Sequence, residues 1–329
     1  MSLPALAAVR RRFPQAHIAI LARPWVSGLY RFEPFADQII PYQPGKGRQG
    51  VLDRMKTAAL LKPLEFDTAL LLQNAFDAAL ISWLARIPNR IGYARDGRSV
   101  LLTRAIPVPA KGEIPPHESF YYLELLRRAG WLAQLPDEAF IRFESAARAK
   151  AAGRARFDSE NWHGPVIGLS PGAAFGTAKR WLPDRFADSA IQLASRMEAR
   201  VAVFGSAGEA ALCQQVCDLV EAAGAAVHNF AGATSLEEFI ERAGACSLML
   251  TNDSGAMHIA SALGVPTVAV FGATNHVTTG PAGPLARVVR VPADCAPCQL
   301  RHCPIDHRCM TGVTSEMVVD AARELIQLK

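Results

Sequence analysis

The stretch of sequence that decides the fold is Leu248-Met-Leu-Thr-Asn-Asp-Ser-Gly-Ala-Met-His-Ile-Ala-Ser-Ala-Leu-Gly-Val-Pro-Thr-Val-Ala-Val-Phe-Gly272. It predicts a buried strand over Leu248 to Thr251, a sharp turn, a helix from about Ala256 to Leu263, and a second buried strand over Thr267 to Phe271. Continuous apolar runs on both sides of one helix are typical of a βαβ unit in a parallel sheet that is covered on both faces. We therefore predict an α/β fold organised around this unit.

The turn in this unit carries Asp253, Ser254 and Gly255, and His258 follows one turn into the helix. In open parallel sheets, anions and nucleotides bind outside the carboxyl ends of the strands, where helix N-termini present N–H groups. Gly255 would let a ligand approach the backbone closely. Two plainer interpretations stay open, in which Asp253 and Ser254 are ordinary helix caps and His258 is a satisfied core residue.

Composition restricts the class of protein. The chain has 329 residues, 50% of them hydrophobic, and a net charge of +5, which is enough for roughly two domains. The positive charge is spread along the chain, which argues against a nucleic-acid partner and suits anionic ligands or a membrane surface.

No apolar run approaches the ~18 residues of a membrane span, and the first residues lack the pattern of a signal peptide. We expect a soluble, cytoplasmic protein with no transmembrane segment.

Strands and helices alternate in two halves of the chain, which predicts two Rossmann-like domains. We assign residues 1–145 to the first domain, 146–164 to a linker, 165–312 to the second domain, and 313–329 to a C-terminal helix that extends from about Glu316 to Leu328. The residues from Pro44 to Gly50 are predicted as a basic loop. The first half opens with a helix, whereas such a domain should open with a strand that leads into a glycine-containing loop. We therefore expect the first strand of this domain to precede Met1.

Three further loops follow predicted strands of the second half and should reach the same sheet edge. The loop from Ser170 to Trp181 carries Lys179, a cation for a phosphate; the next carries Glu209, an acceptor for ribose hydroxyls; and the third carries Thr234 before a helix. With the turn described above, they predict a site for a nucleotide diphosphate, while no complete pattern supports ATP or NAD chemistry. The plainer interpretations are a solvated surface pair of Lys179 with Arg180 and an ordinary first-turn acid at Glu209.

Four segments resemble the lipopolysaccharide heptosyltransferases of glycosyltransferase family nine, and within that family the heptosyltransferase II group. The matching segments are Ser170-Pro-Gly-Ala-Ala-Phe-Gly-Thr-Ala-Lys-Arg-Trp181, Asn252-Asp-Ser-Gly-Ala-Met-His258, Phe271-Gly-Ala-Thr274 with Thr279-Gly-Pro281, and Cys295-Ala-Pro-Cys-Gln-Leu-Arg-His-Cys-Pro-Ile-Asp-His-Arg-Cys-Met310. The likeness extends over almost the whole chain and is most specific in the second half.

The resemblance implies a GT-B architecture, in which two Rossmann-like domains face each other across a cleft and the C-terminal helix crosses back to the first, acceptor-side domain. It implies an ADP-L-glycero-D-manno-heptose donor, an inner-core heptose of lipopolysaccharide as acceptor, and no cofactor. The residues implied in substrate binding are Lys179, Glu209, Thr234, Asp253, Ser254, Gly255 and His258. Lys179 and the helix-start N–H groups would hold the diphosphate, Glu209 the ribose, and the Thr234 turn would border the adenine. Asp253 and His258 would organise the heptose and pyrophosphate.

The chemistry implied is an inverting displacement at the anomeric carbon, in which an acceptor hydroxyl attacks, a base takes its proton and ADP leaves. In the family, that base is an aspartate in the Gly-Asp loop after the first strand. This chain begins just past the matching position, so the catalytic base is unknown from these residues. We expect it upstream of Met1.

A cysteine-rich segment lies near the end of the second half. Cys295, Cys298, Cys303 and Cys309 suit a metal site by ligand type, but their spacing differs from that of a zinc ribbon. Three interpretations stay open: reduced thiols that pack a loop, a structural metal, and a disulfide. The remaining cysteines, Cys213, Cys217 and Cys246, are predicted as ordinary core or helix residues.

These observations together predict an ADP-heptose-dependent glycosyltransferase of lipopolysaccharide core assembly that works at the inner face of the inner membrane. One alternative is a transferase of the same family that uses another nucleotide sugar. The other, which follows if Met1 is the true start, is a non-catalytic nucleotide-sugar-binding protein.

Overall fold

The structure is a computed structural model that describes residues 1–327, with only the backbone described for residue 327. The chain divides into two compact units, of which the first is Met1–Ala139 and the second begins at Phe140. Both units alternate helices with parallel strands, so the predicted α/β class is confirmed. The predicted domain boundaries at 145, 164 and 312 stay predictions.

The first unit carries short parallel strands between helices. Its elements are α1 (Leu3–Arg12), β1 (Ala19–Ala22), β2 (Gln38–Pro41), α2 (Gly47–Leu61), β3 (Thr68–Leu71), α3 (Phe76–Leu84), β4 (Asn89–Tyr93), β5 (Arg104–Ile106) and α4 (Glu118–Arg128). Strand β1 pairs with β2, and β3, β4 and β5 form a separate sheet in that order. Every one of these pairings is parallel. The expected strand ahead of Met1 stays a prediction.

Part of the predicted basic loop is helical. Helix α2 begins at Gly47, so the loop prediction is wrong for the residues from Gly47 to Gly50. The glycines suggested a turn, but Gly50 is buried and serves a close approach, since a side chain there would strike the carbonyl oxygen of Gly45. The N–H of Gly45 in turn donates to Asp53 of α2 at 2.8 Å. Packing has thus overridden the low helix propensity of glycine.

The second unit is a larger parallel α/β layer structure. Its elements are α5 (Ala146–Ser159), β6 (Val166–Ser170), α6 (Pro183–Met197), β7 (Arg200–Val203), α7 (Ala210–Ala222), β8 (Val227–Asn229), α8 (Leu236–Ala245), β9 (Leu248–Asn252), α9 (Gly255–Ala262), β10 (Thr267–Val270), α10 (His276–Thr279), β11 (Ala286–Val289), α11 (Arg308–Thr311) and α12 (Ser315–Gln327). The sheet order is β11-β10-β9-β6-β7-β8, and every pairing is parallel.

Two strands were not predicted from the sequence. Strands β5 and β11 lie at sheet edges, are only three and four residues long, and include arginines, so neither forms a continuous apolar run. Edge strands are half-solvated and need no such run. Most of the residues assigned to the linker form helix α5. It packs closely on α8, because Gly153 leaves no room for a side chain against the carbonyl of Glu241.

The core of the second unit covers the sheet with α6, α7 and α12. Alternate strand residues such as Leu169, Leu250 and Val270 enter this core, and α12 adds Val318 and Leu325 at helical spacing. Helix α12 therefore packs on α6, β10 and β11 of its own unit. The predicted crossing of this helix to the first domain stays a prediction, and its predicted end at Leu328 lies outside the described residues.

Strands β6 and β9 are neighbours at the middle of this sheet. Because the strands are parallel, the loops that leave their carboxyl ends emerge side by side. The loops after β7 and β8 follow on one side and the loop after β10 on the other. The topology thus brings the candidate residues predicted from the sequence to a single edge.

Candidate functional site

Asn252, the last residue of β9, ties together the two central loops. Its side chain is fully buried; its Oδ1 accepts from the N–H of Trp181 at 2.9 Å, and its Nδ2 donates to the carbonyl of Pro171 at 2.7 Å. Both partners belong to the loop after β6. A buried amide that is satisfied on both of its polar ends holds its partners in one geometry. The loop after β6 is therefore fixed relative to the start of α9.

Asp253 is the centre of a buried ionic network. Its Oδ2 accepts from Lys179 Nζ at 2.6 Å and from Thr274 Oγ1 at 2.5 Å. The Lys179 side chain is 14% exposed and that of Asp253 is 6% exposed. The alternative in which Lys179 is a solvated surface residue is therefore wrong. Thr274, which follows β10, was not among the predicted site residues, although its position after a strand end gave the same signal as the others.

Helix α9 begins with an unobstructed N-terminus. Ser254 is the N-cap residue by position, but its side chain makes no capping hydrogen bond and lies 3.1 Å from Thr251 Oγ1 instead. Gly255 is exposed, and apart from its chain neighbours and the backbone of its own helix, no atom of the described residues lies within 4 Å of the position that a Cβ would take there. The capping interpretation of Ser254 is therefore wrong, and Asp253 is engaged by Lys179 and Thr274. His258 is half-buried one turn further along the helix.

Glu209 lies against the loop after β6. Its Oε2 accepts from the N–H of Ser206 at 2.9 Å and from Ser206 Oγ at 2.8 Å, in a capping box at the short 3-10 turn that precedes α7. The plainer interpretation, in which Glu209 is an ordinary acid in the first turn of a helix, is thus correct for its Oε2 atom. The carboxylate also reaches Gly172, where any Cβ would overlap it. Gly172 is needed for this close approach, which brings the second predicted loop against the first.

Thr234 lies at the far end of the row of loops. It is half-buried in the turn before the capped helix α8. The preceding Gly232 donates its N–H to the carbonyl of Gly205 at 3.0 Å, which joins this loop to the Glu209 loop. Strand β8 is three places from β9 in the sheet, so the Thr234 loop is about 14 Å from the Asp253 loop, at ~4.8 Å for each strand step. The predicted residues form a row, and Thr234 does not join the Lys179–Asp253 cluster directly.

The cysteine-rich segment packs on the Lys179 loop. The carbonyl of Arg301 accepts from the N–H of Ala178 at 3.0 Å, and His307 Nε2 lies 3.0 Å from the carbonyl of Ala178. The ring of Phe175 lies between two cations, with Lys179 Nζ 4.9 Å and Arg301 Cζ 5.3 Å from its centroid. Nothing in the sequence pattern predicted that Arg301 would reach this loop.

All seven cysteines are free thiols. Burial, followed by the neighbouring Cys295, Cys298 and Cys303, raises the pKa of the Cys309 thiol, so these four side chains are near one another. Among residues 1–327, no three His, Cys, Asp or Glu side chains are arranged to hold a metal ion. Cys309 is buried, Cys298 and Cys303 are half-buried and Cys295 is exposed, and the three interpretations of this segment stay predictions. Cys213, Cys217 and Cys246 are buried, as predicted.

This arrangement is suited to an extended anion. The start of α9 offers N–H groups and the positive end of a helix dipole, and Lys179 stands beside it as a cation held by Asp253. A carboxylate and a polar turn continue the row away from the helix. Among the residues that the structure describes, no helix has the length and apolar character needed to cross a membrane.

Comparison with known proteins agrees with this geometry. The family described as glycosyltransferase family 9 (heptosyltransferase) matches residues 54–308. The lipopolysaccharide heptosyltransferase 2 of Salmonella typhimurium is 31% identical over 288 residues, which cover 86% of this chain and 82% of that protein. The solved E. coli ADP-heptose lipopolysaccharide heptosyltransferase II superposes with a TM-score of 0.82 at 29% identity, covering 99% of this chain and 94% of that one. A family 9 glycosyltransferase from Veillonella parvula, at 20% identity, shares the fold with a TM-score of 0.84, covering 100% of this chain and 93% of that one.

Fold and matches together define the class: this is an enzyme, a glycosyltransferase with the GT-B fold. The prediction of that fold is confirmed. The chain belongs to glycosyltransferase family 9, and the resemblance to heptosyltransferase II is confirmed by the curated and solved relatives.

Proposed function

We propose that this protein transfers heptose from ADP-L-glycero-D-manno-heptose to an inner-core heptose of lipopolysaccharide. The observation that carries the proposal is the unobstructed start of α9 beside Lys179, in a chain that belongs to family 9. A diphosphate needs cations and N–H donors that are already in place. The printed names of relatives, a lipopolysaccharide heptosyltransferase 2 and an ADP-heptose lipopolysaccharide heptosyltransferase II, support heptose as the sugar and lipopolysaccharide as the acceptor.

The proposed donor position follows the row of loops. The diphosphate lies over Gly255 and beside Lys179, with Ser254 and His258 on the same helix start. Asp253 holds Lys179 in position through the 2.6 Å contact and faces the heptose. Glu209 accepts from the ribose, and the Thr234 turn borders the adenine. A span of about 14 Å from the Asp253 loop to the Thr234 loop suits an extended nucleotide sugar.

The proposed reaction is a single inverting displacement. A hydroxyl of the acceptor heptose attacks the anomeric carbon, a base takes the hydroxyl proton, and the bond to the ADP oxygen breaks so that its electron pair leaves with ADP. Negative charge then grows on the diphosphate, where Lys179 and the N–H groups of α9 stabilise it more than in the ground state.

The acceptor places the reaction at a membrane. Lipopolysaccharide precursors are anchored by acyl chains, so we propose that the protein works as a peripheral protein at the inner face of the inner membrane. The net charge of +5 is compatible with that surface.

A transfer assay tests the proposal. ADP release is measured for the protein as its native host produces it, with ADP-heptose and a lipopolysaccharide acceptor that carries one heptose. Parallel reactions omit the acceptor or replace the donor with a UDP-sugar. We expect ADP release that depends on both substrates and stops in a Lys179→Met variant. Turnover with the UDP-sugar alone would instead support the transferase of different donor specificity. ADP binding without turnover would contradict the proposed activity and favour a binding protein.

A further inference from the structure

Helices α2 and α3 of the first unit expose an unusual number of large apolar side chains. We call these residues the α2–α3 surface: Val51, Leu52 and Met55 of α2 and Phe76 and Trp83 of α3. Their exposed fractions are 53%, 50%, 56%, 44% and 50%. Isolated exposed apolar residues are common on proteins, but contiguous ones mark an interaction surface.

Val51, Met55 and Phe76 of this surface are contiguous. Val51 and Met55 are four residues apart on α2, and Phe76, Leu80 and Leu84 follow the same spacing on α3. All five line one cavity of about 240 Å³ that opens between the two helices. Trp83 precedes Leu84 and extends the apolar face. The two helices thus present one continuous apolar groove.

The groove opens beside the core of the unit. Ala58 and Leu61 of α2 and Ile81 of α3 are buried in one apolar cluster, and Leu84 packs against that cluster while it also lines the groove. The exposed side chains Val51, Met55 and Phe76 extend this packing to the surface of the unit. The polar groups in the groove are an internal pair, because Arg54 Nε lies 2.8 Å from Asp77 Oδ1.

Positive charge borders the groove. Residues 44–64 carry five basic side chains and one acidic one. Lys46, Arg48, Lys56 and Lys62 are exposed, whereas the acidic Asp53 is engaged by the N–H of Gly45 and by Gln49. An apolar strip with cations at its border is the pattern of a helix that lies in a membrane interface. A surface built for a second protein chain would be depleted of lysine.

We propose that the α2–α3 surface docks on a lipid bilayer with anionic headgroups, and this inference rests on the proposed function, whose acceptor is carried by a membrane. Met55, Phe76 and Trp83 enter the headgroup region, where tryptophan is favoured. Arg48 and Lys56 bind the headgroup phosphates. Docking concentrates the enzyme at the surface on which its acceptor is anchored.

Vesicle co-sedimentation of the full chain tests the proposal. Vesicles of phosphatidylethanolamine with phosphatidylglycerol are compared with vesicles of phosphatidylcholine alone. We expect binding to the anionic vesicles that weakens with added salt. The variants Met55→Ser/Trp83→Ser and Arg48→Glu/Lys56→Glu should each reduce binding by about tenfold or more. Matched controls on exposed positions of the second unit, Leu219→Ser of α7 and Arg196→Glu of α6, should bind as the unmodified protein does.

Two results would overturn the docking proposal. One is equal vesicle binding by the variants and the unmodified protein. The other is a dimer that the same variants convert to monomer in size-exclusion chromatography, since the surface would then belong to a second copy of the chain. Transfer to a deacylated, water-soluble acceptor separates the two proposals: the variants should retain it in full. If the unmodified protein fails to transfer to that acceptor, the proposed function fails while the vesicle result stands on its own.

Discussion

Replacement of Lys179 by methionine should affect stability and ligand binding through two different mechanisms. The side chains of Lys179 and Asp253 are 14% and 6% exposed and meet at 2.6 Å. Removing one partner of a buried pair costs about 3–5 kcal/mol, because the other charge is left uncompensated. Asp253 keeps the hydrogen bond from Thr274, so we expect the lower end, about 3 kcal/mol.

The double variant Lys179→Met/Asp253→Asn separates the two effects. Asparagine carries no charge and can still accept from Thr274, so the double variant should regain about 2 kcal/mol of the free energy lost in Lys179→Met. ADP affinity should not recover, because the cation that faces the diphosphate is absent in both variants. Loss of a charged hydrogen bond, worth about 1.5–3 kcal/mol, corresponds to a weakening of roughly 10- to 150-fold.

Stability should be read from hydrogen exchange of residues 248–262, because a chain of two units need not unfold in one step. Affinity should be read by calorimetric titration with ADP. An unchanged ADP affinity in Lys179→Met would refute the role of Lys179 as the diphosphate cation. A double variant no more stable than the single one would refute the reasoning about the uncompensated Asp253 charge.

Three further variants or treatments test other parts of the structure. Gly255→Ala adds a methyl group in open space, so the thermal unfolding temperature should be unchanged. ADP binding should weaken about tenfold or more, because the methyl group occupies the path by which the diphosphate approaches the helix. Unchanged ADP affinity would contradict the proposed donor position. The Arg127 guanidinium, opposed by burial and helped by Arg128, holds the pKa of Glu124 below its ordinary value of 4.5. Glu124→Gln should therefore lower the free energy of unfolding by about 2 kcal/mol at pH 7. In urea unfolding, this loss should persist above pH 4.5 and disappear as the pH falls through the lower pKa of Glu124 in the native state. A loss of stability that does not depend on pH would contradict the role of the Glu124 charge. With a thiol reagent at pH 8, mass spectrometry should find the exposed Cys295 modified first. Cys213, Cys217 and Cys246 should react slowly, because burial raises their pKa values to about 12, about 11 and about 12. Early labelling of these three would show that the core opens.

Much of the second unit was predictable because apolar runs and strand ends are local signals. The stretch from Leu248 to Gly272 contains a strand, a helix and a strand as predicted, and the carboxyl-edge rule brought Lys179 and Asp253 to the same edge. The same rule applied to β10 would have identified Thr274. Edge strands such as β5 and β11 were missed because they are partly exposed to solvent. Such strands need no continuous apolar run, which is the pattern from which we predicted strands.

Other features depended on contacts between distant segments, which a single sequence does not reveal. The lack of a side chain at Gly172 makes room for the Glu209 carboxylate, which belongs to a different loop. Arg301 reaches the ring of Phe175 from more than a hundred residues away along the chain. Likewise, the exposure of Val51 and Met55 depends on which residues of α2 are covered by neighbouring segments, and the sequence of α2 alone does not show this.

Asn252 and Gly232 tie the two ends of the row of loops by separate contacts. The buried amide of Asn252 fixes the loops after β6 and β9, whereas the N–H of Gly232 joins the loops after β7 and β8. The close approach of the Glu209 carboxylate to Gly172 connects these two pairs of loops. Residues around the nucleotide base can be replaced at the Thr234 end while the anion site at the Asp253 end is retained. The Thr234 loop is the natural place to begin redesigning nucleotide preference.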